Sequence, residues 1–195
     1  MSTIRADGRR AAFDRFVDES TGSLLRTAYL VTGDLGLAED LVQECLFKIA
    51  RRWTRVVSMD SPKAYARRVL VNSALDDSKR RSRHRAELER RSPSDPAVPL
   101  WWDSEISWGA VSAADDRLEL IGALGELARR QRAVLVLRYF DDLTESDVAS
   151  VLGCSTGTVK STTSRALEKM RQLLPSRLHP DLEGEPLACS ERKGK

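Results

Sequence analysis

Residues 144–171, TESDVASVLGCSTGTVKSTTSRALEKMR, constrain this chain more than any other stretch, because they carry the local signals of two helices joined by a tight turn. Thr144 can cap the first helix, and Asp147 stands three residues on, where a capping-box acid belongs. Val148, Ala149 and Leu152 fall on one apolar face, with Ala149 small where a second helix must cross closely. Gly153 supplies a left-handed turn. The second helix then starts after Ser155 or Thr156 and turns Val159, Thr163, Ala166, Leu167 and Met170 inward. Its opposite face carries Lys160, Ser161, Ser164 and Arg165, donors suited to phosphates and base edges. This is the pattern of a helix-turn-helix. Two ordinary packed helices with a glycine turn share the small-x-x-x-Gly spacing, so the motif needs support from the rest of the chain.

The remaining periodicity is helical too. Ala12, Phe13, Phe16 and Val17 open an amphipathic helix that continues through Leu24, Leu25, Ala28 and Val31 and stops near Gly33. Asp34 can cap a second helix with Leu37, Leu41, Val42, Cys45, Leu46, Ile49 and Trp53 on its core side. After a loop from Thr54 to Asp60, Ser61-Pro62 reads as a helix start, a capping serine before proline at the first helical position. That helix runs through Tyr65, Val69 and Leu75. Helices resume after Ala113 with Leu118, Ile121, Leu124 and Leu127, then Ala133, Val134, Leu137 and Phe140. The expected fold is all-α: two small helical domains, 8–84 and 113–175, on a flexible acidic linker, 85–112, with a disordered tail over 176–195.

Composition narrows the classes of function. No apolar run approaches the roughly 20 residues of a membrane span, and no signal peptide follows the N-terminal arginines, so membrane insertion is not expected. Cys45, Cys154 and Cys189 lie far apart with no C-x-x-C, which argues against disulfides or zinc and for a reducing cytoplasm. Net charge is only +3, but it is arranged in blocks. Residues 79–91, KRRSRHRAELERR, are dense in arginine, whereas residues 92–116 hold no Lys or Arg and include Asp95, Asp103, Glu105, Asp115 and Asp116. Such a basic run is either a solvated face or a nucleic-acid footprint. Within 92–112, three prolines and several serines read as a linker. Trp101, Trp102 and Trp108 in the same stretch are costly to expose and are expected to dock, on a neighbouring helix or on a partner.

Three segments together resemble the small, two-domain extracytoplasmic-function (ECF) sigma factors of bacterial RNA polymerase, within the sigma-70 family. AEDLVQECLFKIARRW (38–53) resembles the region 2 helix that docks on the polymerase clamp. SPKAYARRVLVNSALDDSKRRSR (61–83) resembles the helix that opens and reads the minus-ten element. RQRAVLVLRYFDDLTESDVASVLGCSTGTVKSTTSRALEKMR (130–171) resembles region 4, which binds the minus-thirty-five element.

The resemblance implies roles for particular residues. Asp40, Gln43 and Glu44 match the D-x-x-Q-E motif that contacts the polymerase, an acid-amide-acid face able to accept bonds from arginines. Asn72 matches a pocket asparagine that reads an unstacked promoter base, a task suited to an amide with both donors and acceptors. The loop Thr54 to Ser61 would form the opposite wall. Arg67, Arg68, Lys79, Arg80, Arg81 and Arg83 would hold the backbone of the melted strand. Lys160, Ser161, Ser164 and Arg165 match the positions that reach the major groove, with Ser155 and Thr158 placed for phosphate at the helix start. The family often has arginine where Thr162 stands, so one phosphate contact and any promoter consensus do not transfer directly. It also often has proline before the RQR segment, where Ala128-Arg129 stands, a departure expected to affect only a helix start. Implied partners are core RNA polymerase (clamp and flap), promoter DNA and an anti-sigma factor; the acidic linker would thread a basic cleft of the polymerase. No cofactor, metal or catalytic residue is implied.

Two other classes compete. A helix-turn-helix regulator acting without the polymerase would need a sensing domain, yet residues 8–83 show no ligand-pocket or phospho-acceptor pattern. A DNA-modifying enzyme would need a placed nucleophile or clustered carboxylates. The acids here are dispersed, and His84 and His179 lack metal-ligand spacing.

Overall fold

A computed structural model describes residues 2–76 and 114–178, and all regular structure among them is helical. The N-terminal module comprises α1 (Ser2–Thr32), α2 (Leu35–Ala50), the short α3 (Trp53–Val56) and α4 (Pro62–Asp76). The C-terminal module comprises α5 (Ala114–Gly125), α6 (Arg129–Leu135), α7 (Glu145–Leu152) and α8 (Thr156–Leu173). A single π turn (Val136–Phe140) extends α6, and a 3-10 turn (Ser176–Leu178) follows α8. The connector, with Trp101, Trp102 and Trp108, and the C-terminal tail lie outside the described residues.

The local signals act as expected in the first module. Gly33 ends α1 at φ 75°, and the Asp34 side chain accepts from the Leu37 amide at 2.8 Å to start α2. Ser61 Oγ likewise accepts from the Ala64 amide, with Pro62 opening α4. Leu37, Leu41, Cys45 and Ile49 recur at i+4 along α2 and are buried against α1 and α4. Trp53 closes the core between Phe13 and Phe16, ring centroids 5.2 and 5.1 Å away, and its indole N–H donates to the Arg9 carbonyl at 3.0 Å.

The helix-turn-helix forms as read. Thr144 Oγ1 accepts from the Asp147 amide at 3.2 Å and Asp147 Oδ2 accepts from the Thr144 amide at 3.3 Å, a complete capping box. Gly153 sits at φ 61°, ψ 42°, and Val148, Val159 and Ala166 are fully buried where α7, α8 and α6 meet. A Cβ at Gly153 would meet nothing within 4 Å, so a substitution there tests the backbone alone. Gly153→Ala is expected to cost about 1–2 kcal/mol, the left-handed penalty of an L-residue. Urea denaturation checks this, and an unchanged midpoint would contradict it.

The modules pack directly on each other. α4 meets α7, α1 meets α6 and the π turn, and one buried apolar cluster runs from Phe16 to Met170. In the π turn the Asp141 amide donates to the Val136 carbonyl at 3.0 Å, five residues back, which turns Asp141 toward α1 and α4. Asp142 then takes φ 49°, a region that aspartate tolerates better than most residues. At α6 the Ala128 amide donates to Gln131 Oε1 at 3.3 Å, a bond that a proline there would remove.

Candidate nucleic-acid and polymerase interface

α8 presents its predicted contact residues to solvent as one surface. Lys160, Ser161, Ser164 and Arg165 are all exposed, and positions 160, 161, 164 and 165 follow the i, i+1, i+4, i+5 pattern of one helical face. Ser155 caps the helix, its Oγ accepting from the Thr158 amide at 3.1 Å, and the two hydroxyl oxygens lie 2.9 Å apart. That mutual bond uses one of their two protons, so the other remains to meet a phosphate. Lys160 Nζ lies 3.6 Å from Glu145 at the start of α7. Lys160 is exposed and Glu145 partly so, which makes the pair worth little and lets a stronger anion displace it.

On α2, Asp40 and Gln43 are exposed and Glu44 is half-buried. Glu44 Oε1 pairs with Lys48 one turn on at 2.9 Å, while Lys48 also donates to Ser73 of α4 at 3.1 Å. Sequence reasoning missed Phe47 on this face. It is 63% exposed, with the Arg51 guanidinium 5.9 Å from its ring centroid. Phe47 stands four positions after Gln43 and three after Glu44, so helical spacing puts an apolar residue on their polar face, and that break is the available signal.

The minus-ten set divides. Arg68 and Asn72 are four residues apart on one face of α4, Arg68 exposed and Asn72 half-buried. Arg67 is not with them: it lies in phase with buried Val71 and Ala74 and pairs with Asp141, Nε to Oδ2 at 3.1 Å. Lys79, Arg80, Arg81 and Arg83 lie outside the described residues.

Two buried groups have perturbed protonation. Burial pushes the Asp141 carboxyl above the usual carboxylate range, outweighing the pull of Arg67, Thr27 and Arg26. Burial also pushes the Cys45 thiol up to about 12, and its Sγ donates to the Ala66 carbonyl at 3.3 Å. Cys45 is thus a core residue and a poor nucleophile. Arg132, 7% exposed, ties α6 to carbonyls of Gly125 and Val31. Among the described residues no grouping of His, Cys, Asp and Glu could hold a metal, and no helix is long and apolar enough to cross a membrane.

An exposed helix-turn-helix face beside a second helical module defines a two-module DNA-binding class, and the comparisons with known proteins name the family. The Sigma-70 region 2 model matches residues 16–84 and the Sigma-70 region 4 model matches residues 117–170. An RNA polymerase sigma-E factor of Streptomyces avermitilis is 34% identical over 96% of this chain and 97% of its own length. The ECF RNA polymerase sigma factor SigG of Mycobacterium tuberculosis is 31% identical over 88% of this chain and 51% of its own. The fold matches that of the sigma factor RpoE of Bartonella quintana, solved with the anti-sigma factor NepR: TM-score 0.61, 23% identity, 83% of this chain and 96% of that one. The chain belongs to the sigma-70 family, as an ECF-type RNA polymerase sigma factor. That is a family of transcription initiation factors and not of enzymes.

Proposed function

We propose that this sigma factor docks on core RNA polymerase through Asp40, Gln43 and Glu44, seats α8 in the major groove of the minus-thirty-five element, and captures the minus-ten strand on α4. The observation that carries this reading is exposure: Asp40 and Gln43 of α2, with half-buried Glu44 beside them, and Lys160, Ser161, Ser164 and Arg165 of α8 all reach solvent in the same chain. One surface is then free for the polymerase while the other reads DNA.

Melting follows from capture. Asn72 would pair with the edge of an unstacked base while Arg67, Arg68 and the basic run 79–83 hold the backbone, and this binding offsets an unstacking cost of about a few kcal/mol per step. No nucleotide hydrolysis is required. The modules assigned to the two elements are residues 8–84 and 113–175, the connector 85–112 would thread the polymerase, and the flap would receive the C-terminal module. The complex of RpoE with NepR supports an anti-sigma factor as a further partner, and the site of action is the cytoplasm, with the polymerase.

Arg165→Ala is expected to weaken use of the upstream element by about 1–3 kcal/mol, roughly 5- to 150-fold, while core affinity is unchanged. Run-off transcription from promoters with and without that element separates the two effects; an equal loss on both templates would contradict the role. A regulator acting without the polymerase would instead bind duplex tightly as the free chain. Weak duplex binding is expected here, because without the polymerase the two reading surfaces are not held at promoter spacing.

A further inference from the structure

Apolar packing is not all that joins the two modules. Arg132 donates to the Val31 carbonyl at 3.3 Å, and Arg129 donates to the Ala74 carbonyl at 3.2 Å. Each places a cation at the C-terminal end of a helix of the other module, where the helix dipole favours it. The third tie is Asp141. Its side chain is 9% exposed, and its Oδ2 accepts from Arg67 Nε at 3.1 Å. Thr27 Oγ1 lies 3.0 and 3.1 Å from the two carboxylate oxygens and 3.0 Å from the Ser23 carbonyl. One hydroxyl proton must serve both acceptors, so Arg67 is the main partner of the carboxylate.

We propose that Asp141 is an internal substitute for a nucleic-acid phosphate: it occupies the Arg67 guanidinium and latches the modules together, so that Arg67 can take a DNA strand only after the pair separates. This rests on the reading of Arg67 as a strand contact. A carboxylate offers a guanidinium the same array of acceptor oxygens as a phosphate. In the latched arrangement the donor face of α8 and Asp40 and Gln43 of α2 stay exposed, whereas the Arg67 side chain is only 21% exposed. The latch therefore withholds Arg67 from strand capture, while Arg68 beside it stays exposed. It is also separable, because burying the carboxylate costs much of what the cation returns, and a polyanion can engage Arg67 together with its exposed neighbour Arg68.

The test uses the full chain, with X-ray scattering for its size and fluorescence anisotropy for its affinity for a labelled oligothymidylate of roughly 20 nucleotides. Asp141→Ala is expected to enlarge the radius of gyration and raise affinity for the oligonucleotide about fivefold, as the competent population grows. In the Arg67→Ala/Asp141→Ala double variant the affinity gain should vanish. Unchanged size, expansion without tighter binding, or a gain that survives loss of Arg67 would each overturn the proposal. If circular dichroism shows that Asp141→Ala has lost helix, Thr27→Val carries the same test at the same carboxylate, with smaller shifts in the same direction expected and none overturning it. Neither readout involves the polymerase, so failure to bind core enzyme would sink the sigma reading without touching the latch.

Discussion

Core RNA polymerase is expected to bind an Asp40→Arg/Glu44→Arg variant at least about 30-fold more weakly than the wild-type chain, because reversing desolvated charges at an interface costs 2 kcal/mol or more. The pair Glu44–Lys48 does not protect against this. It joins neighbours one turn apart with both side chains partly exposed, an interaction worth under about 1 kcal/mol, and it yields readily to an arginine on the partner. Neither Asp40 nor Glu44 lies in the buried core, so the variant should keep its helix content and melting temperature. Equilibrium binding to labelled core enzyme gives the answer. Equal affinities in a folded variant would remove α2 from the docking surface and leave Phe47 without a context.

The second large effect is on stability. Leu70 is fully buried in the middle of α4, next to the stripe of Ala66, Val71 and Ala74 that faces the core. Leu70→Ala is expected to destabilise the chain by about 2–5 kcal/mol, the range for a buried leucine whose cavity collapses only in part. For a chain of this length that corresponds to a fall in Tm of roughly 5–15 °C. A loss under about 1 kcal/mol in thermal and urea melts would show that α4 is not the centre of the first module. The substitution should also blunt strand capture, since it loosens the helix that sets the spacing of Arg68 and Asn72.

Much of this was readable from local chemistry. Thr144 with Asp147, Asp34 before Leu35, Ser61 before Pro62, and the glycines at 33 and 153 each satisfy backbone groups of their own neighbours, so three or four residues suffice to predict the outcome. The exposed donor face of α8 follows from the inward period of Val159, Ala166 and Met170. What resisted is non-local. The resemblance groups Arg67 with Arg68 as a strand contact, while its phase with Val71 and Ala74 puts it on the buried stripe. Its partner Asp141 lies 74 positions away, brought there by a π turn that ordinary helical periodicity does not reveal. Arg132 was equally hidden: a cation among Ala133, Val134 and Leu135 looks misplaced until the carbonyls of Val31 and Gly125 arrive from other helices.

The central claim is that this chain confers promoter recognition on core RNA polymerase, and reconstituted transcription tests it most directly. Core enzyme alone, the purified chain alone, and the two together are supplied with a template carrying promoters that the chain activates on overexpression. The account predicts discrete run-off products from those promoters only when both proteins are present. Transcripts of equal amount and start site without the chain, or none with it despite a stable complex, would contradict the account.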